Sequence, residues 1–164
     1  MSAAVTLTPA SSSVSSLGIM MRSLKLPAFA RYAEEIAQKA EREGWTFGRY
    51  LHHLAELELH ERRRRRIERL LHASDLPREK TLATLKRSRL PAKVAKTLPT
   101  LCEGGFVERG DNVLAFGLPG RGKTHLVCAL GHELVQRGHR VLFTPTFALV
   151  QRLLAAKRDL RLEK

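Results

Sequence analysis

The stretch Asn-Val-Leu-Ala-Phe-Gly-Leu-Pro-Gly-Arg-Gly-Lys-Thr, residues 112–124, decides the predicted fold. A short apolar run, Val113 to Phe116, leads into three glycines that are followed by Lys123 and Thr124. The spacing is G-x-x-x-x-G-K-[ST], the pattern of a phosphate-binding loop between a strand and a helix. Glycines let consecutive backbone N–H groups turn towards a polyphosphate, and the N-terminus of the next helix adds partial positive charge. The motif therefore predicts a bound nucleoside triphosphate.

The last two residues of the motif have separate predicted roles. Lys123 would reach the β- and γ-phosphates, and the Thr124 hydroxyl would complete the coordination shell of a Mg²⁺ ion. No side chain is assigned a catalytic role. The residues predicted to hold the nucleotide are Gly117, Leu118, Pro119, Gly120, Arg121, Gly122, Lys123 and Thr124.

The segments after the loop alternate between helical and strand-like patterns. Residues 125–137 carry apolar residues at helical spacing, and Gly138 stands where a helix would end. Residues 140–144 read as a buried strand. An amphipathic core helix is predicted after it from Phe147, Leu149, Val150, Leu153 and Leu154. Alternation on short connections predicts a parallel sheet with right-handed crossovers, and therefore an α/β fold.

Two helices are predicted before the loop. The first begins near Leu26, with Pro27 at its first position, and Gly44 ends it. Thr46 can cap a longer second helix that runs to about His72 and packs against the first through an apolar stripe. A basic connector with two prolines follows. The predicted domains are a disordered tail or a misplaced start at 1–23, a basic helical domain at 24–96, and a partial ATP-binding domain at 97–164.

Composition narrows the class of protein. The chain has 164 residues, with 29 Lys and Arg against 16 Asp and Glu, a net charge of +13. This excess indicates a polyanionic partner. The two cysteines and seven histidines form no metal-ligand pattern, and two reduced thiols suit the cytoplasm. No apolar run reaches the length of a membrane span, so no membrane partner is expected.

The positive charge is concentrated between Glu61 and Lys96, where 13 basic residues stand against four acidic ones. Such a concentration suits contact with the phosphate backbone of DNA, without aromatic residues for base stacking. A solvated basic face, or a face that pairs with acidic residues of a partner subunit, remains an alternative. The candidate nucleic-acid contacts on the second helix are Arg62, Arg63, Arg64, Arg65, Arg66 and Arg69.

Hydrolysis of a nucleotide needs a further acidic residue near the magnesium. After Thr124 the acidic residues are Glu133, Asp159 and Glu163, and none follows an apolar strand-like run. We therefore expect a chain truncated before its acidic motif, which binds the nucleotide and for which hydrolysis stays open.

Residues 24–164 resemble the IstB-like transposition helper ATPases, which are similar to DnaC-type helicase loaders of the AAA+ class. The resemblance rests on the opening Lys25-Leu26-Pro27, the arginine-rich helix, the linker Phe106-Val107-Glu108-Arg109-Gly110 and the loop ending Gly-Lys-Thr-His-Leu. It implies a small N-terminal helical domain followed by the start of a three-layer P-loop α/β domain. It also implies ATP at 117–124, with the linker near the adenine.

The resemblance further implies an ATP-binding helper of DNA transposition, with DNA and a transposase as partners and homo-oligomerisation of the full-length protein. Two alternatives remain open. One is a replicative helicase loader, and the other is a non-enzymatic DNA-binding or adaptor fragment that functions through the basic helical region.

Overall fold

A computed structural model describes residues 13–159, and these contain seven α-helices. A single 3₁₀ turn, Arg87–Arg89, lies in the connector between the third and fourth helices. The helices are α1 (Ser13–Ser23), α2 (Pro27–Arg42), α3 (Phe47–Ala73), α4 (Ala92–Glu103), α5 (Gly105–Glu108), α6 (Lys123–Gln136) and α7 (Thr146–Arg158). The predicted disordered tail or misplaced start therefore lies partly in α1 and partly outside the described residues. The chain divides into two compact units, Met1–Arg65 and Arg66–Lys164, while the three predicted domains stay predictions.

In the first unit α2 contacts α1, and hydrogen bonds join α2 to the first part of α3. Pro27 stands at the start of α2, and the Thr46 hydroxyl accepts a hydrogen bond from the Arg49 amide at the start of α3. Leu54 is buried, and the Tyr50 hydroxyl donates to the Ala33 carbonyl at 3.0 Å. Both predicted helices are confirmed. Their packing through apolar stripes stays a prediction, and Phe47, the first residue of α3, is 94% exposed.

The second unit has two clusters of buried apolar side chains. In one cluster α4 packs on α6 through Leu98, Cys102, Leu130 and Leu134, and three leucines of the connector cover it. In the other, Leu76, Cys128 and Val135 meet side chains from the last turns of α3. Helix α6 contributes to both clusters, which explains why seven of its residues are buried. Helix α7 has no buried residue, so its predicted place in the core is wrong.

The predicted α/β architecture is wrong, because the structure is 67% helical and contains no strand among residues 13–159. Both predicted strands, 113–116 and 140–144, are irregular segments. A strand forms only where its backbone N–H and C=O groups pair with a neighbouring strand. The two segments do not pair with each other. Phe116 is 87% exposed and Leu142 is 63% exposed, whereas Val141 and Phe143 are partly buried against the apolar clusters of the second unit. The two segments therefore have the hydrophobic pattern of strands but lack the backbone hydrogen bonds to a neighbouring strand that would form a sheet.

Across residues 13–159, no helix combines enough apolar residues with enough length to cross a membrane.

Candidate functional site

The glycine-rich loop lies directly before α6, as the sequence predicts. Gly120 and Gly122 have φ angles of +73° and +80°, a conformation that side chains with a Cβ rarely adopt. Gly122 is the N-cap of α6, so the loop runs into the first turn of that helix. The loop residues from 117 to 122 are all exposed. The predicted loop and helix are thus present, but an irregular segment replaces the predicted strand before them.

The Lys123 side chain is held against the loop by hydrogen bonds to the loop backbone. Its Nζ donates to the carbonyl oxygens of Gly117 at 2.8 Å and of Leu118 at 2.9 Å. The ammonium group therefore lies across the loop at the first position of α6, where the helix dipole already favours an anion. Thr124, the next residue, is exposed. The structure brings the Lys123 ammonium and the loop backbone together, and places Thr124 beside them in the first turn.

The buried side of α6 fixes the direction in which this first turn points. Cys128, Ala129 and Val135 are fully buried. Burial raises the pKa of the Cys128 thiol above its ordinary value, and burial raises that of Cys102 in the same way. Both thiols are therefore kept protonated, as structural cysteines are.

A side-chain link that the sequence did not reveal joins α6 to the connector. The His125 Nε2 atom lies 3.1 Å from the Thr81 carbonyl oxygen and 3.2 Å from the Thr84 hydroxyl. A carbonyl oxygen can only accept, so Nε2 donates to it. The Thr84 hydroxyl also contacts the Glu79 carbonyl at 2.6 Å. This turn, residues 79–85, therefore lies against the first turn of the helix that follows the loop.

The linker that the resemblance placed near the adenine forms α5 and the turn after it. Phe106 is half-buried against the cluster that contains Leu98 and Leu134. Arg109 and Asp111 form an exposed ion pair at 2.8 Å. These contacts hold the linker to the second unit, and its proximity to an adenine stays a prediction.

The predicted arginine contacts do not all point to solvent. Arg62 Nε donates to Glu58 Oε1 at 2.9 Å, and its Nη2 donates to the Lys25 carbonyl at 2.7 Å. Glu58 is only 3% exposed, and its other oxygen accepts from the Ala28 amide at the start of α2. Arg62 therefore supports the α2–α3 pairing, which a run of five arginines in the sequence could not indicate.

The other arginines of the run have varied surroundings. Arg64 donates to Glu61 at 2.9 Å, and this hydrogen bond holds the pKa of the Glu61 carboxyl below its ordinary value. Arg65 reaches Glu58 at 3.5 Å. In the second unit, Arg66 Nη2 donates to the Gly138 carbonyl at 3.4 Å. Several arginines of the run therefore contact residues of their own unit.

Glu58 itself could have been found in the sequence. It stands seven residues after Leu51 and four after Leu54, on the apolar stripe of α3. A carboxylate at such a position is buried only when it is paired. One partner, the Ala28 amide at the start of α2, lies 30 residues earlier in the sequence and is visible only in the structure.

Residues 19–164 match the family model described as IstB-like ATP binding protein. An insertion sequence ATP-binding protein of Sinorhizobium fredii is 43% identical over 148 residues, which are 90% of this chain and 50% of that protein. The IS21 ATP-binding protein of Pseudomonas aeruginosa is 34% identical over 148 residues, 90% of this chain and 56% of that protein. The IS5376 ATP-binding protein of Geobacillus stearothermophilus is 33% identical over 141 residues, 86% of this chain and 56% of that protein.

The chain spans about half the length of these curated relatives. The match to the family model nevertheless extends over most of the chain, including the helical region and the loop. The resemblance predicted from the residues is confirmed, and the chain belongs to the family of IstB-like ATP-binding proteins.

Proposed function

We propose that this chain binds Mg-ATP through residues 117–124 and serves as an ATP-binding helper in DNA transposition. One observation carries the proposal. A loop with two left-handed glycines runs into the N-terminus of α6, and the Lys123 ammonium lies across it. Together these groups offer the backbone amides, the helix dipole and the single cation that a triphosphate requires.

The Lys123 contacts indicate how the nucleotide would be held. Two carbonyl oxygens of the loop, those of Gly117 and Leu118, now accept from Nζ. Phosphate oxygens carry more negative charge than carbonyls and form stronger hydrogen bonds with an ammonium group. A bound triphosphate would therefore attract Nζ away from the loop backbone. The same flexible side chain would then lie over the β- and γ-phosphates.

The residues near the loop also fit a magnesium ion. Mg²⁺ in nucleotide sites keeps several waters and binds few protein groups, with most other ligands coming from the phosphates. A single hydroxyl, that of Thr124, is enough for such a site, and Thr124 is exposed in the first turn of α6. When bound, Mg²⁺ neutralises charge on the phosphates. In this proposal the chain contributes only the Thr124 oxygen.

The role in transposition rests on the family and on charge. The relatives are named as ATP-binding proteins of insertion sequences. The chain carries +13 at neutral pH, concentrated between Glu61 and Lys96, which favours contact with the phosphate backbone of DNA. The arginine run and the connector both lie in this basic region. A transposase as partner, and an oligomer of the full-length protein, belong to the same proposal.

A nucleotide titration tests the ATP site. We expect the Lys123→Ala variant to bind a fluorescent ATP analogue with Mg²⁺ at least roughly tenfold more weakly than the parent protein. A hydrogen bond to a charged group contributes about 1.5–3 kcal/mol, and about 1.4 kcal/mol is tenfold in affinity. The Lys157→Ala variant, which removes an exposed lysine from α7, is the matched control.

The circular dichroism spectrum of each variant shows whether it is folded. Equal affinity in the parent protein and in folded Lys123→Ala would reject the proposed site. Removal of Mg²⁺ should also weaken binding, because the phosphates would then lose the neutralising cation.

A further inference from the structure

The segment that joins α3 to α4 and continues into the first turns of α4, residues 77–96, is densely basic, and we call all of it the connector. It carries seven basic residues and one acidic residue, Glu79. The basic residues are Arg78, Lys80, Lys86, Arg87, Arg89, Lys93 and Lys96. Six of them are exposed and Lys80 is half-buried. The connector therefore presents a dense positive charge to solvent.

These basic side chains differ from the arginine run in their contacts. In the run, Arg62 and Arg64 donate to carboxylates within their own unit. None of the seven connector side chains forms an ion pair or a side-chain hydrogen bond with another residue in the part of the chain that the structure describes. The nearest carboxylate on α4, Glu103, lines the same cavity as Arg87 without pairing with it. Charge on the connector is therefore left for an external partner.

The backbone of the connector is nevertheless fixed. Leu82, Leu85 and Leu90 pack against the buried cluster of α4 and α6. The His125 imidazole holds the turn through Thr81 and Thr84. Binding to a segment whose backbone is already fixed costs less conformational entropy than binding to a mobile segment, which must be ordered first. The basic side chains are thus displayed from an ordered scaffold.

The positions of Lys93 and Lys96 are unfavourable for helix stability. Both stand at the start of α4, three residues apart and on one face of the helix. The N-terminus of a helix carries partial positive charge, so it favours acidic side chains. Helix α4 has no acidic residue in its first turn. An anionic partner at this face would relieve the repulsion among the lysines and the helix dipole.

We infer that the connector is the main surface through which this chain contacts the phosphate backbone of duplex DNA. The inference rests on the proposed DNA role and deepens it, since it assigns the contact to the connector and not to the arginine run of α3. Binding would be independent of base sequence, because no aromatic residue lies among the seven basic ones. It would weaken steeply with salt.

Matched triple variants of the full chain test this assignment. The connector variant is Lys86→Gln/Arg87→Gln/Arg89→Gln, and the helix variant is Arg63→Gln/Arg66→Gln/Arg69→Gln, which spares the structural Arg62. A third variant, Arg152→Gln/Lys157→Gln/Arg158→Gln, removes the same charge from α7. Each is titrated with fluorescent duplex DNA over a series of salt concentrations, and circular dichroism checks its fold.

We expect the connector variant to lose at least roughly tenfold in affinity at moderate salt. The plot of log affinity against log salt should become shallower, with the magnitude of its slope smaller by about 2.7, because each lost phosphate contact contributes about 0.9. The α7 variant should change less than about twofold. A second connector variant, Lys93→Gln/Lys96→Gln, should lower the slope by about 1.8 for the same reason, and it decides the matter if the triple variant fails to fold.

Several outcomes would overturn the inference. A loss confined to the helix variant would place the contact on α3 and leave the proposed DNA role intact. Equal losses in all three variants would mean that only net charge matters. Tighter binding to duplex RNA than to duplex DNA of equal length would show that the partner is RNA. If the parent protein binds no DNA, the DNA part of the proposed function fails as well, while the ATP titration still stands by itself.

Discussion

Glu58 shows how one residue can change the interpretation of its neighbours. The sequence favoured five consecutive arginines as ligand contacts, yet Arg62 is occupied by this buried carboxylate and by the Lys25 carbonyl. A buried carboxylate is stable only when it is paired and hydrogen-bonded. The Ala28 amide and the Arg62 guanidinium meet that requirement. One arginine of the run is therefore part of the fold, and substitutions there would confuse stability with binding.

Gly104 is the residue at which a single methyl group should matter most. Its φ angle is +86°, and a Cβ there would lie 2.9 Å from His139 Nε2 and 3.1 Å from Leu134 Cδ2. We expect Gly104→Ala to lower the free energy of unfolding by roughly 2–4 kcal/mol, from the left-handed backbone and the overpacking together. Urea unfolding followed by circular dichroism measures the change.

The control for this substitution is Gly110→Ala. Gly110 has a similar φ angle, +72°, but a Cβ there would meet no atom within 4 Å. Only the backbone term, about 1 kcal/mol, should be lost. Equal destabilisation of the two variants would show that the contact with His139 and Leu134 contributes nothing.

At the scale of elements, the turn at residues 79–85 connects the two regions to which a function is proposed. It begins within the basic connector and ends in leucines that pack on α4 and α6. Its threonines contact His125, one residue after the proposed magnesium ligand. The proposed ATP site and the proposed DNA surface are therefore joined by hydrogen bonds within the second unit.

The hydroxyl of Thr84 should control the stability of that turn. It accepts from the Thr81 amide at 3.1 Å and meets His125 Nε2 at 3.2 Å. We expect Thr84→Val, which keeps the shape and removes the hydroxyl, to speed hydrogen exchange of the Thr81 amide by about fivefold, since one such bond contributes about 1 kcal/mol. Exchange of the buried amides of α6 should not change.

Thr97→Val is the matched control for that experiment. The Thr97 hydroxyl donates to the Lys93 carbonyl within α4 and makes no contact with the turn. Unchanged exchange at Thr81 in both variants would mean that the Thr84 hydroxyl does not hold the turn.

For the whole molecule, the main correction concerns the class of fold. The structure is 67% helical, whereas the sequence predicted the start of a parallel sheet. We expect the far-ultraviolet circular dichroism spectrum of the native chain to show the double minimum of a helical protein. A spectrum with a single strand-like minimum would contradict the all-helical fold. The spectrum in concentrated urea is the reference for the unfolded chain.

Local sequence determined the helices and the loop. Proline at the start of α2, the Thr46 cap of α3 and the apolar spacing of α6 and α7 are signals within a few residues of each other. The phosphate-loop motif is equally local, because its glycines and Lys123 fix their own geometry. These predictions needed no knowledge of distant contacts, and the family resemblance that they carried is confirmed.

Tertiary structure decided everything that depends on a partner far along the chain. Strands are one such case, since segments 113–116 and 140–144 have strand-like hydrophobicity but no strand to pair with among residues 13–159. The role of Arg62 is another, set by Glu58 and by a helix end 30 residues away from that carboxylate. The link from His125 to the connector is a third. Helices satisfy their hydrogen bonds within themselves, whereas sheets, ion pairs and side-chain links need a second segment that no local pattern can locate.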